Sequence, residues 1–92
     1  MWNQSPGQAP EAKLKTLVVL TAFIRDEEGE LRPAFEPREV PSEDKAKMDA
    51  RRMAARGTYA GVITWSRSAD LVNGEFGEPV ILFQHGDVPD ME

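Results

Sequence analysis

Leu14–Arg25 reads LKTLVVLTAFIR, and both of its alternating sets are apolar in the middle: Val18, Leu20, Ala22 and Ile24 against Leu17, Val19 and Phe23. β-Branched and aromatic side chains suit a pleated surface, and apolarity on both sides of the pleat predicts a central strand covered on both faces. Its apolar run, residues 17–24, is far shorter than the roughly 20 residues of a membrane-spanning helix. The stretch therefore belongs to a folded core.

Moving outward, Asp26-Glu27-Glu28-Gly29 has the chemistry of a hairpin loop. Residues 30–36 (ELRPAFE) then alternate, with Leu31 and Phe35 against Glu30, Arg32 and Glu36; Pro33 lacks a ladder donor, so an edge strand is expected. Pro41 and Ser42 announce a helix with Glu43 and Asp44 in its first turn, and Gly57 ends it. Ala46, Ala50, Met53 and Ala54 make a narrow apolar stripe along this helix. Residues 58–67 (TYAGVITWSR) are the third strand, with Tyr59, Ile63 and Trp65 expected on one face and Ala60, Val62 and Thr64 on the other. Gly61 suits a close backbone approach or a bulge, assigned here to the helix crossing. Residues 68–79, with Asn73-Gly74 as a hairpin turn, form a loop or twisted ribbon tip, and residues 80–85 (VILFQH) the fourth strand.

The order β-β-α-β-β predicts an α+β fold of two layers: a four-stranded antiparallel sheet with one helix packed on one face. Residues 1–12 are polar with two prolines and a glycine and read as a disordered arm, residues 13–85 as the single domain, and residues 86–92 (GDVPDME) as a frayed acidic tail. A chain of 92 residues with 40% apolar content closes one core. Having no cysteine, it has no disulfide, thiol or iron–sulfur chemistry. The start, MWNQSPGQAPE, is neither basic nor apolar in the manner of a signal peptide, and a cytoplasmic, non-membrane protein is expected.

Motifs for catalysis are sparse. The one histidine, His85, could pair with Asp87 or Asp70 but no nucleophile elbow is present, and H-G-D-V-P-D has neither zinc nor EF-hand spacing. No glycine precedes the helix to cradle a phosphate. No catalytic, metal or cofactor residue is assigned and no cofactor is expected. Lys45, Lys47, Arg51, Arg52 and Arg56 are interleaved with Glu43, Asp44 and Asp49 and read as a solvated face. With a net charge of -5, nucleic acid is not the expected partner.

Assembly is the stronger signal. One Ala-rich helix cannot cover Leu17, Val19, Phe23, Tyr59, Ile63, Trp65, Ile81 and Phe83 together, so apolar sheet surface is left over. Either a second copy or another protein covers it, or residues 68–79 fold back with Leu71, Val72 and Phe76. The interface candidates are Tyr59, Ile63, Trp65, Arg67 and Phe83, aromatics being concentrated at interface centres. The expected function is a small non-enzymatic interaction module, a homodimer or the receptor of a protein partner. Two alternatives stand beside it. One is an acidic inhibitor or nucleic-acid mimic built on Asp26, Glu27, Glu28, Glu30 and the later acids Asp70, Glu75, Glu78, Asp87, Asp90 and Glu92. The other is a small enzyme or ligand-binding domain with a site between subunits near Trp65, Arg67 and His85.

Overall fold

A computed structural model describes residues 14–89. One helix packs against a curled antiparallel sheet, the α+β arrangement expected. The strands are β1 (Leu14–Arg25), β2 (Leu31–Pro33), β3 (Arg38–Glu39), β4 (Gly61–Asp70), β5 (Glu75–Phe76) and β6 (Val80–Gly86), with α1 (Glu43–Arg56) between β3 and β4. β1 and β4 form the central ladder, in register from Leu14↔Asp70 to Phe23↔Gly61. β2 and β3 both pair with β1 on one side, and β5 and β6 both pair with β4 on the other. Because β3 and β4 are each antiparallel to β1, they run parallel to one another, and α1 is the crossover that a parallel pair requires.

The expected second strand, residues 30–36, is interrupted. Phe23↔Pro33 and Leu20↔Arg38 leave two residues of β1 opposite four of the edge, so 34–37 bulge outward between β2 and β3. Pro33 and Pro37 lack amide hydrogens, and the ladder resumes through the Ala34 amide on the Ala22 carbonyl and the Val40 amide on the Val18 carbonyl, both at 2.8 Å. This edge, proline-broken and carrying Arg32, Arg38 and Glu39, resists further pairing. The opposite edge, β6, is seven residues long with no proline inside it. There the Asp87 amide bonds the Ala60 carbonyl, which phases the ladder so that the Gln84 amide and carbonyl point away from β4.

The helix begins where Ser42, in extended conformation, accepts from the Lys45 amide, and it ends at Gly57 with φ 73°. Ala46, Ala50 and Met53 are buried on Val18, Leu20, Ala22 and Val62; Val40 joins this cluster and Ala54 packs at its margin. The core is thus one-sided, built from the even-numbered side of β1 and β4. Two residues expected on the other side belong to this one. Tyr59 precedes β4, so strand alternation does not govern it, and it packs against the core edge-to-face with Phe35. Phe83 is turned to the helix side by a bulge opposite Thr64/Trp65, with Leu82 beside it.

Residues 68–79 do not fold over the sheet. β4 runs on to Asp70, a four-residue loop turns at 71–74 with the Asp70 carboxylate accepting from the Val72 and Asn73 amides, and Gly74 takes φ 70° to start β5. The result is a ribbon that lengthens the sheet and leaves Leu14 (72% exposed), Leu71 and Phe76 (58%) uncovered at its end.

The segment after β6 turns back instead of leaving the body. Gly86 adopts φ 73°, and residues 87–89 cross the helix-free face over Gly61. A Cβ on Gly61 would lie 1.8 Å from the Asp87 carbonyl oxygen, so the close approach anticipated at Gly61 is made by this returning backbone and not by the helix. Residues 1–13 and 90–92, including the expected N-terminal arm, lie outside the described residues.

Candidate functional site

The face without the helix carries the odd-numbered side chains of β1 and β4. Leu17 lies opposite Arg67, Val19 opposite Trp65, Thr21 opposite Ile63 and Phe23 opposite Gly61, while Ile81 sits beside Trp65 on β6. Of the interface candidates, the fold brings Ile63, Trp65 and Arg67 together here and places Tyr59 and Phe83 on the opposite side of the sheet.

Two hollows divide this surface. A groove of about 730 Å³ runs over Ile63, Arg67, Ile81 and Gln84 between residues 76–79 and the returning tail. A smaller, almost wholly apolar cleft of about 190 Å³ is walled by Phe23, Trp65, Pro33 and Pro37, with Thr21 and Ile63 at its base. Ile63 and Pro89 line both, so the tail stands as a partition between them. Under it Ile63 is only 2% exposed, while Leu17, Val19, Phe23 and Trp65 remain half-exposed and Ile81 is exposed.

Arg67 is fixed by its neighbours. Its Nε donates to the Gly77 carbonyl at 3.0 Å, and its guanidinium carbon lies 5.4 Å from the centre of the Phe76 ring. This clamps the irregular stretch 77–79, where the pairing of β5 and β6 with β4 breaks. Thr21 differs from the other buried threonine: the Thr64 hydroxyl donates to the Val19 carbonyl at 2.7 Å, whereas the Thr21 hydroxyl, in a residue 3% exposed, has no hydrogen-bond partner.

His85 does not meet Trp65 and Arg67. It pairs with Val62, and paired residues share a face, so the sheet separates the imidazole from both. Among the described residues no group of three or more His, Asp or Glu is placed to hold a metal ion. Several carboxylates assigned to an acidic mimic are engaged locally. Asp26 accepts from the amides of Glu28 and Glu30 and from Arg32 Nε, and Asp87 pairs with Arg25 at 3.0 Å. The Arg32 hydrogen bond, followed by the Glu30 amide, holds the Asp26 carboxyl below its ordinary 3.8 against the opposing effect of desolvation. The Asn73 side-chain and backbone amides do the same for Asp70.

The residues missed in the sequence are Thr21, Pro33, Pro37, Val88 and Pro89. Pro33 read only as a residue without a ladder donor, and the tail as a frayed acidic end. The available signal was Gly61, a glycine inside a strand, which marks a place where another backbone comes close. No helix among the described residues is long and apolar enough to cross a membrane. Compared with protein-family models, with curated proteins and with solved structures, the chain matches none of them.

Proposed function

We propose that this protein is a non-enzymatic interaction module that self-associates through the helix-free face of its sheet. The observation that carries the reading is the row of partly exposed side chains Leu17, Val19, Phe23 and Trp65, continued by exposed Ile81, on a face where the tail crosses Gly61 and Ile63 and leaves this row uncovered. A second copy suits this face on charge. The chain as a whole carries -5, which opposes association, yet the charged residues lining the two hollows are one of each sign, Arg67 and Glu78. A twofold axis across the groove sets each against its opposite in the other copy.

The test is the solution mass of the full chain by light scattering behind size exclusion, at two concentrations. A mass near twice 10.3 kDa is expected. Ile81→Lys, at an exposed position on this face, returns a folded monomer, with circular dichroism unchanged. A monomer at every concentration, or a dimer that Ile81→Lys leaves intact, overturns the reading. Because the contact is mainly apolar and the chains repel by charge, raising salt does not dissociate the dimer, whereas an acidic mimic would release a basic partner steeply with salt.

A further inference from the structure

On the opposite side of the molecule, the fold gathers three arginines with no carboxylate among the described residues paired to any of them. Arg38 from β3 and Arg52 and Arg56 from α1 line a cleft of about 280 Å³, with Tyr59 at its margin and Leu20 and Met53 beneath. Among the described residues the ion pairs use Lys15, Arg25, Arg32 and Lys45. The one carboxylate in the cleft, Asp49, is held by Lys45 Nζ at 3.1 Å, and Arg52 has only the weak acceptor Met48 Sδ at 3.5 Å. In a chain with sixteen acidic residues to eleven basic ones, three unpaired guanidinium groups in one concavity are held together against their repulsion.

Their positions are set by structure. Arg52 and Arg56 lie one helical turn apart, and the carboxyl end of α1 favours positive charge, which accounts for Arg56 but not for Arg38 on a different element. Arg38 is held by stacking, its guanidinium carbon 4.6 Å from the centre of the Phe35 ring, and Phe35 packs edge-to-face on Tyr59 at 6.3 Å. Arg38 and Tyr59, braced through Phe35, therefore line the same cleft as the two helix arginines.

We propose that this cleft binds the phosphoryl group of a small phosphate monoester. Planar guanidinium forks match phosphate oxygens in pairs, and a tyrosine hydroxyl supplies a further donor. At about 280 Å³ the cleft is smaller than the roughly 300–1,000 Å³ of sites that enclose a drug-sized molecule. It accepts a phosphoryl group and the first atoms beyond it. A nucleic-acid strand would instead need cations repeated along a track, and here they converge on one concavity with Asp49 in its lining.

The full chain, labelled with nitrogen-15, is titrated with inorganic phosphate, with glycerol phosphate and with a short single-stranded oligonucleotide, at low and moderate salt. Glycerol phosphate is expected to saturate with shifts centred on Arg38, Arg52, Arg56 and Tyr59. Arg38→Gln and Arg52→Gln should each weaken it about tenfold. Arg52→Lys, which keeps the charge and loses the fork, weakens it too, whereas Arg51→Gln, outside the cleft, does not. Non-saturating shifts, equal weakening by Arg51→Gln, saturation by inorganic phosphate alone, or binding confined to the oligonucleotide would each overturn the assignment.

Discussion

Gly61→Ala offers the sharpest test of how the helix-free face is built. In an ordinary strand interior, alanine is more stable than glycine by about 0.5–1 kcal/mol. Here the new methyl would sit 1.8 Å from the Asp87 carbonyl oxygen, 2.5 Å from its carbonyl carbon and 2.9 Å from Val88 Cγ1. Two of these are backbone atoms, so the tail has to lift as a unit. Lifting it breaks the 2.9 Å bond from the Asp87 amide to the Ala60 carbonyl, a loss of about 1 kcal/mol. It also uncovers Ile63, whose partial exposure costs about 1 kcal/mol more. The exposed Arg25–Asp87 pair adds little. After the alanine gain the net destabilisation is about 1–1.5 kcal/mol, with each kcal/mol worth a melting shift of about 4–8 °C in a domain this small. Urea unfolding followed by circular dichroism, at one fixed protein concentration, measures it. Deleting residues 87–92 provides the second arm: in that background Gly61→Ala stabilises by about 0.5–1 kcal/mol. An alanine variant as stable as wild type in the full chain, or equally destabilised in both backgrounds, would refute the argument.

Two further outcomes are expected. Thr21→Val removes a buried hydroxyl that has no partner and raises stability by about 1 kcal/mol, whereas Thr64→Val, which gives up the bond to the Val19 carbonyl, lowers it by a similar amount; thermal melts showing the same sign for both would contradict this. Asp26 has a folded pKa depressed below 3.8, so its contribution is fully present above that value and is lost as pH falls through the folded pKa. Wild type should therefore melt higher than Asp26→Asn at neutral pH, with the gap closing below about pH 3.8; melting curves from about pH 7 down to pH 2 with a constant gap would show the carboxylate to be idle.

Periodicity and end signals made the framework legible: the central place of Leu14–Arg25, the Ser42 cap, the Gly57 stop and the alanine stripe all correspond to observed features, whereas the cover expected on both faces of that strand is found on one, and Leu17, Val19 and Phe23 on the other are only partly buried. What escaped depends on residue-by-residue phase and on long-range contact. Tyr59 was assigned by counting alternate positions, and counting fails outside a strand; the side that Phe83 takes depends on a bulge that its short apolar run does not announce. The interruption at 34–37 was half-announced by Pro33, but its length depends on where Pro37 lets the ladder resume. The tail's return depends on Gly61 and residue 87 meeting across 26 positions of sequence, which local composition does not encode. Arg38 likewise lies outside the basic helix in sequence, and only the placement of β3 and α1 against the same strand, β1, brings it to Arg52 and Arg56.

The unequal edges of the sheet bear on how far assembly can proceed. Growth of a sheet strand by strand needs each added chain to receive on one side and offer on the other. Here Pro33, Pro37 and the interruption between β2 and β3 remove one of those two sides, and β6 supplies the other. A strand docked on β6, whether from a second copy or from a peptide, leaves only proline-guarded borders at its far limits when the docked chain is a copy of this one. Such pairing closes at two chains about a twofold axis and has no repeating direction in which to polymerise, so an uncovered apolar sheet face is compatible with a protein that does not form fibres through its backbone.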